Sequence, residues 1–206
     1  MKKLLLFDFD GVVVDTLEMV LGVQKDLGRA TTAEEYVKLF HGNIFKNLET
    51  AQSRQYTTAD QAAFFNLYEP RLLELVPVPG MIETISALST KFTLAIISST
   101  TNSPIQKYLK RYDLDGCFSS IYGADVDKSK VAKIQLSLAE HATAPEDTVY
   151  ITDTTGDIKE ARVAGVDSIA VTWGFHDQTT LAHSTPRYVV NNPGELNQAI
   201  SSFFTQ

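Results

Sequence analysis

The chain of 206 residues carries 25 acidic residues against 18 Lys and Arg, a net charge of −7, with 44% hydrophobic and 21% charged residues. That is the composition of an ordinary globular protein able to bury a sizeable core, and no Lys/Arg tract marks a nucleic-acid surface. The single cysteine, Cys117, excludes an internal disulfide and a multi-cysteine metal centre and fits a reducing, cytoplasmic setting.

The first element is "KLLLFD", a buried strand that runs straight into Asp8 and Asp10. "MKKLLLF" imitates the start of a signal peptide, but the two aspartates cut its apolar run short. No segment reaches the roughly 18 apolar residues of a membrane span. Asp8 and Asp10 are two apart, so strand periodicity turns both the same way while Phe9 faces packing. Gly11 then lets the chain bend away. Such a pair suits a hard cation, or attack by one carboxylate and proton transfer by the other; the plain alternative is a pair of turn aspartates.

From about residue 17 to 76 the pattern is helical, clearest in "TAEEYVKLF", "FKNLETAQSRQ" and "TTADQAAFFNLYEPRLLELV". "VPVPG" (76–80) breaks it, because its prolines cannot continue a helix. Residues 17–76 therefore read as a helical insertion after the first strand, with residues 1–16 and 77–206 as the core. Within it, "FHGNIFKN" (40–47) is the candidate specificity loop, with Gly42 in a turn and His41, Asn43 or Lys46 facing inward. Solvated helix-end residues are the alternative, and the aromatics of "AAFFNLYEP" read as core.

Beyond residue 80, strands alternate with helices. "MIETISALS" is followed by the strand "FTLAIIS" (92–98), "SPIQKYLKRY" and "KVAKIQLSLAEH" precede the strand "TVYITD" (148–153), and "DIKEARVAG" precedes "SIAVTW" (168–173). "RYVV" (187–190) is a weaker candidate. The alternation predicts an α/β fold with a parallel sheet covered on both faces.

Ligands of such sheets bind beyond the carboxyl ends of the strands. Ser98 and Ser99 end one strand ahead of a helix, where backbone N–H groups form a natural phosphate cradle. Asp153 and Asp157, in "ITDTTGD", have i, i+4 spacing that lets both carboxylates face one site; dipole-favoured helix capping is the alternative for Asp157. Lys128 and Lys130 flank another loop-to-helix junction. Trp173, Phe175 and His176 follow a strand end and are candidates to border the site, with packing as the alternative. An acidic chain handling an anionic substrate needs positive charge from a metal or a placed lysine.

Taken together and in order, "DFDGVVVDT", "LAIISS", Lys128 and "ITDTTGD" resemble the four motifs of the haloacid dehalogenase superfamily of hydrolases. The likeness extends to "LVPVPGMIETISAL" and "GVDSIAVTWGF" and covers most of the chain outside residues 17–76. It implies a Rossmann-like three-layer α/β/α core with a small α-helical cap. It also implies a Mg²⁺-dependent phosphatase for a small phosphorylated metabolite, such as phosphoglycolate or a sugar phosphate. Asp8 would be the nucleophile that forms an aspartyl-phosphate, and Asp10 the acid/base. Ser98, Ser99 and Lys128 would hold the phosphate. Asp8, Asp10 (through its carbonyl), Asp153 and Asp157 (directly or through water) would hold the metal. Relatives that cleave carbon–halogen or carbon–phosphorus bonds typically lack the second aspartate, so Asp10 favours phosphoryl transfer from oxygen. "TWGF" is similar to phosphoglycolate-phosphatase-like members. Thr152 departs from the usual glycine, and "KSK" from the commoner lysine–proline. Lys130 therefore rivals Lys128, which is preferred for its spacing to Asp153. A phosphomutase of the β-phosphoglucomutase type would use the same two aspartates, and a non-catalytic binding or regulatory member would keep the fold alone. A monomer or homodimer is expected.

Overall fold

The apolar run at the start of the chain forms β1 (Leu4–Phe7), with all four side chains buried. The structure, a computed structural model, describes residues 3–29, 31–51 and 57–205. β1 is flanked on both sides by parallel strands: β2 (Thr93–Ile97) and β4 (Thr148–Thr152). β3 (Ser120–Tyr122) extends the sheet beyond β2, while β5 (Asp167–Val171) and β6 (Tyr188–Val190) extend it beyond β4, giving the order β3-β2-β1-β4-β5-β6.

Period-2 alternation sorts β1 between two cores. Leu5 and Phe7 pack with Ile85 of α5 (Met81–Ser89), Ile105 of α6 (Asn102–Arg111) and Leu196 of α10 (Pro193–Thr205). Leu4 and Leu6 pack on the other face with Ile134 of α7 (Lys130–Glu140) and Ala161 of α8 (Thr155–Val163). Each fully buried leucine of this strand contributes about 1.5–3 kcal/mol. The three-layer α/β/α core with a parallel sheet is therefore as the sequence reading expects. No described helix is long and apolar enough to cross a membrane.

The region between β1 and α5 is helical: α1 (Leu17–Asp26), α2 (Ala33–Lys38), α3 (Ile44–Ala51) and α4 (Thr58–Leu72). Capping boxes start two of them, Thr32 with Glu35 and Thr57 with Asp60, each satisfying two otherwise orphaned N–H donors. The reading of "FKNLETAQSRQ" as helix holds through Ala51; its remaining residues lie outside those described. α4 ends at Leu72, before the "VPVPG" stretch, residues 73–80 are non-helical, and Val78 N donates to Val13 O at 3.0 Å, joining the chain just after the insertion to the chain just before it.

Three elements go beyond the sequence reading. β3 has only three residues at the sheet edge, too few to leave an alternating pattern. α9 (Gln178–His183) and α10 follow β5 and β6, where no helix was anticipated.

The insertion meets the core closely at α8. A Cβ added to Gly156 would lie 2.5 Å from Gly42 O and 2.7 Å from Phe40 O, inside van der Waals contact with backbone. Lys159 Nζ donates to His41 O at 2.9 Å, and Asn43 Nδ2 donates to Lys128 O and to Glu160 Oε1. Gly156→Ala must displace backbone rather than a pliable side chain, so it is expected to cost about 1–3 kcal/mol in urea denaturation. A stability equal to that of the parent chain would show that the approach is loose.

Candidate active site

Register brings three strand ends to one place. Phe7 pairs with Ile96 and with Ile151, so Asp8, Ser98 and Asp153 each follow the carboxyl end of adjacent strands. Asp8 N donates to Ile151 O at 2.9 Å, which continues the ladder one residue beyond β1. At Gly11 φ is +73°, and an added Cβ would lie 2.0 Å from Asp153 Oδ2. Only glycine permits both that backbone conformation and the approach of Asp153.

The centre of the cluster is a buried ammonium. Lys130 Nζ donates to Asp8 Oδ2 at 2.7 Å and to Asp157 Oδ2 at 2.5 Å, with Tyr150 Oη 3.0 Å away. Asp8, Lys130 and Asp157 are 5%, 4% and 6% exposed, so water screens these charges little. Burial alone would lower the Lys130 pKa, but the Asp157 and Asp8 carboxylates outweigh it and raise it. Asp157 is buried too, yet the ammonium, Thr152 Oγ1 at 2.8 Å and the rest of its polar shell hold it below the usual carboxylate range. Asp8 lacks that shell. Burial raises its pKa, and the charges of Asp157 and Asp153 add to the rise, with Lys130 opposing.

Asp153 is fully buried, and its Oδ2 accepts from Phe175 N at 2.7 Å. Its Oδ1 has no hydrogen-bond partner. Burial pushes its pKa up to about 7, with the Phe175 amide opposing and Asp157 adding. A buried acceptor with nothing to accept, beside carboxylates that outnumber the local ammonium, is what a divalent cation would satisfy. Among the described residues no three His, Cys, Asp or Glu side chains converge into a closed ligand set. The reason is local: Lys130 bridges Asp8 and Asp157, and the Asp10 side chain turns elsewhere.

Asp10 faces the insertion. Tyr68 Oη of α4 donates to its Oδ1 at 2.5 Å, Thr16 Oγ1 donates to the same oxygen at 2.9 Å, and Thr100 Oγ1 donates to Oδ2 at 2.8 Å. Burial and the Asp10 carboxylate raise the Tyr68 pKa and keep its phenol protonated. Ser98 Oγ accepts from Thr100 N at 3.0 Å, and Ser99 and Thr100 line the cavity above. Lys133, also fully buried, donates from Nζ to Ser98 O at 2.5 Å; burial, aided by the Lys130 charge, lowers its pKa to about 8.

The structure corrects the choice between the two lysines. Lys128 is exposed, its Nζ 5.5 Å from the Phe45 ring centroid, whereas Lys130 reaches the carboxylates. Ser129 caps α7 by accepting from Ala132 N, so Lys130 is the first helical residue and points to the sheet end, two residues past the loop position. The serine cap was visible in "KSK" and could have decided the matter. Thr100, Tyr68 and Lys133 were also missed, because their partners lie 90, 58 and 35 residues away. In the segment 40–47 the cavity is lined by Phe40, Ile44 and Phe45, not by His41, Asn43 or Lys46. The aromatics of "AAFFNLYEP" also line it rather than serving as core alone. Phe175 borders the cavity, Trp173 Nε1 donates to Val12 O, and His176 Nδ1 accepts from Thr155 N.

A model of the family described as haloacid dehalogenase-like hydrolase matches residues 5–171. The chain belongs to that family. The hydrolase is 27% identical to a phosphoglycolate phosphatase from Synechococcus elongatus over 98% of this chain and 99% of the relative. It is 29% identical to a probable phosphatase from Dickeya dadantii over 95% and 92% of the two chains. A solved hydrolase from Pseudomonas syringae superposes with a TM-score of 0.82 at 17% identity, covering 98% of this chain and 99% of that one. At that identity the superposition speaks for the fold alone. The chain is thus an enzyme of the phosphatase type, a phosphoric monoester hydrolase.

The paired lysines give a direct check on the site. Removing the Lys130 ammonium leaves two buried carboxylates unpaired, so Lys130→Met is expected to cost this hydrolase about 3 kcal/mol. Lys128→Met should stay within about 0.5 kcal/mol of the parent. Equal losses in urea titration would contradict the placement of the two side chains.

Proposed function

We propose that the enzyme is a Mg²⁺-dependent phosphatase that hydrolyses a small phosphate monoester through an aspartyl-phosphate on Asp8. The observation that carries this reading is the unsatisfied, buried Asp153 Oδ1 beside the Asp8–Lys130–Asp157 cluster, at the carboxyl end of the sheet and open to a cavity.

Asp8 and Asp153, the Asp10 carbonyl, and Asp157 directly or through water, would hold Mg²⁺, whose charge lets an anionic carboxylate meet an anionic phosphate. Asp8 attacks phosphorus in line; the bond from phosphorus to the alcohol oxygen breaks, and Asp10 protonates that oxygen. Water then attacks phosphorus and gives a proton to Asp10, releasing inorganic phosphate and the free Asp8 carboxylate. Lys130 offsets charge at Asp8 and, with the backbone and hydroxyls of Ser98 and Ser99, faces the phosphoryl oxygens. The hydroxyls of Tyr68, Thr16 and Thr100 hold the Asp10 carboxyl at a fixed angle. The inserted helices α1–α4 act as a cap that keeps bulk water from the intermediate.

Asp8→Asn removes the nucleophile, and turnover of p-nitrophenyl phosphate should vanish. Asp10→Asn is expected to slow turnover by roughly 10²–10⁴, with both half-reactions affected. Retained turnover in the first variant, or a change in KM alone in the second, would reassign the roles.

Metal binding has its own signature in pH. The folded chain holds the Asp153 proton up to about pH 7, whereas a free aspartate carboxyl loses it at 3.8. Folded protein therefore binds more protons across that window, and the metal-free enzyme loses stability as pH rises through it. Proton and Mg²⁺ compete for one oxygen, so the rise in Tm on adding Mg²⁺ should be larger at pH 8 than at pH 6. A rise independent of pH, or none, would remove Asp153 from the metal site.

A further inference from the structure

The cavity above the carboxylates, about 70 Å³, is divided by chemistry. Its floor carries the charge and hydroxyls of Asp8, Asp10, Lys130, Asp153, Ser99 and Thr100. Its upper wall comes from the inserted helices and is hydrocarbon: Val20 of α1, Ile44, Phe45 and Leu48 of α3, Phe64 and Phe65 of α4. Phe64 stacks on Tyr68 with ring centroids 5.4 Å apart, and Phe65 meets Phe64 edge to face. The wall is thus a fixed aromatic surface rather than scattered contacts. Gln24, Gln61 and Tyr36 are the polar residues among this upper lining, while the Tyr68 hydroxyl is spent on Asp10.

Among the described residues, Lys130 is the one cation in the lining, and Asp8 and Asp157 already engage it. Among the described residues, basic groups of the insertion near the site are committed or face water. Arg29 pairs with Asp60 at 2.9 Å, Lys46 is exposed, and the His41 ring packs on His176. A substrate with a carboxylate besides its phosphate would have to bury that charge against phenyl rings and near three aspartates without a partner, which strongly disfavours it. A polyol would leave hydroxyls unsatisfied against the same rings. An apolar alcohol would gain by covering them.

We propose that this phosphatase acts on monoesters whose alcohol is uncharged and largely apolar, with a compact flat or aromatic body against Phe45, Phe64 and Phe65. One or two hydrogen-bonding groups on it would reach Gln24 and Gln61, and 2-phosphoglycolate is a poor substrate. The inference rests on the phosphatase reading above, and it parts from the substrate named for the Synechococcus relative. The aromatic wall belongs to the insertion, whereas the charged floor belongs to the core.

The test compares kcat/KM of the full chain with Mg²⁺ on benzyl phosphate, 2-phosphoglycolate and glycerol 3-phosphate. All three are esters of aliphatic alcohols, so leaving-group reactivity differs little. Benzyl phosphate should lead each of the others by at least about tenfold. Phe64→Ala and Phe65→Ala should each lower the benzyl-to-glycolate ratio by about fivefold or more. That ratio, taken within one sample, does not depend on the fraction of protein folded. A lead below tenfold, or a ratio unmoved in both variants, overturns the substrate class and leaves the phosphatase reading standing. Absence of Mg²⁺-dependent turnover on these esters and on p-nitrophenyl phosphate overturns both.

Discussion

Burying Asp8, Asp153 and Asp157 around one ammonium at the end of β1 and β4 is the constraint from which the rest of the molecule follows. Charges removed from water are costly, and an apolar cluster of similar volume would often serve stability as well or better. Lys130 adds to the cost, because the first residue of a helix meets the positive end of its dipole. The acids that surround it offset that penalty. Their satisfaction is uneven. Asp157 collects Lys130, Tyr150 and Thr152 around one oxygen, while Asp153 Oδ1 collects nothing. A cluster selected for stability alone would share its donors more evenly.

Thr152 shows how the neighbouring chain adapts to this demand. It stands where glycine is common in the resembled motif, and its hydroxyl donates to Asp157 while accepting from Thr154 N at 3.2 Å. The departure therefore adds a donor to the saturated carboxylate. Lys133 extends the same pattern outward. Its buried ammonium grips Ser98 O and holds the loop after β2 against the floor of the site.

The parts of this arrangement that were legible in the sequence are those set by short-range periodicity. β1, β2, β4 and β5 announce themselves as apolar runs, the first three ending in Asp or Ser, and parallel pairing then brings Asp8, Ser98 and Asp153 together with no further information. Strand ends are enough. What stayed hidden depends on tertiary distance or on a single rotation. Lys128 and Lys130 differ by two positions, which reverses the direction of the side chain once Ser129 starts the helix. β3 is too short to carry a period, and its register with Ala95–Ile97 exists only through the sheet. Phe64 and Phe65 look like core because hydrophobic residues at helical spacing have the same pattern whether they face a neighbouring helix or a cavity.

Tyr68 joins the two halves of the site and explains why neither can be understood alone. Its ring is stacked on Phe64 and buried to 1% exposure, as part of the apolar wall. Its hydroxyl donates to Asp10 and lies 3.4 Å from Thr100 Oγ1, as part of the polar floor. An amphipathic side chain at this boundary gives α4 one position relative to β1, since sliding the helix would strand either the ring in water or the hydroxyl in hydrocarbon. The orientation of the Asp10 carboxyl and the placement of the aromatic wall are thus set by the same residue. Phenylalanine at position 68 would keep the wall and leave Asp10 to Thr16 and Thr100 alone, whereas serine would open the wall and withdraw the hydroxyl as well. The geometry of proton transfer and the shape of the substrate cavity are coupled through that one side chain.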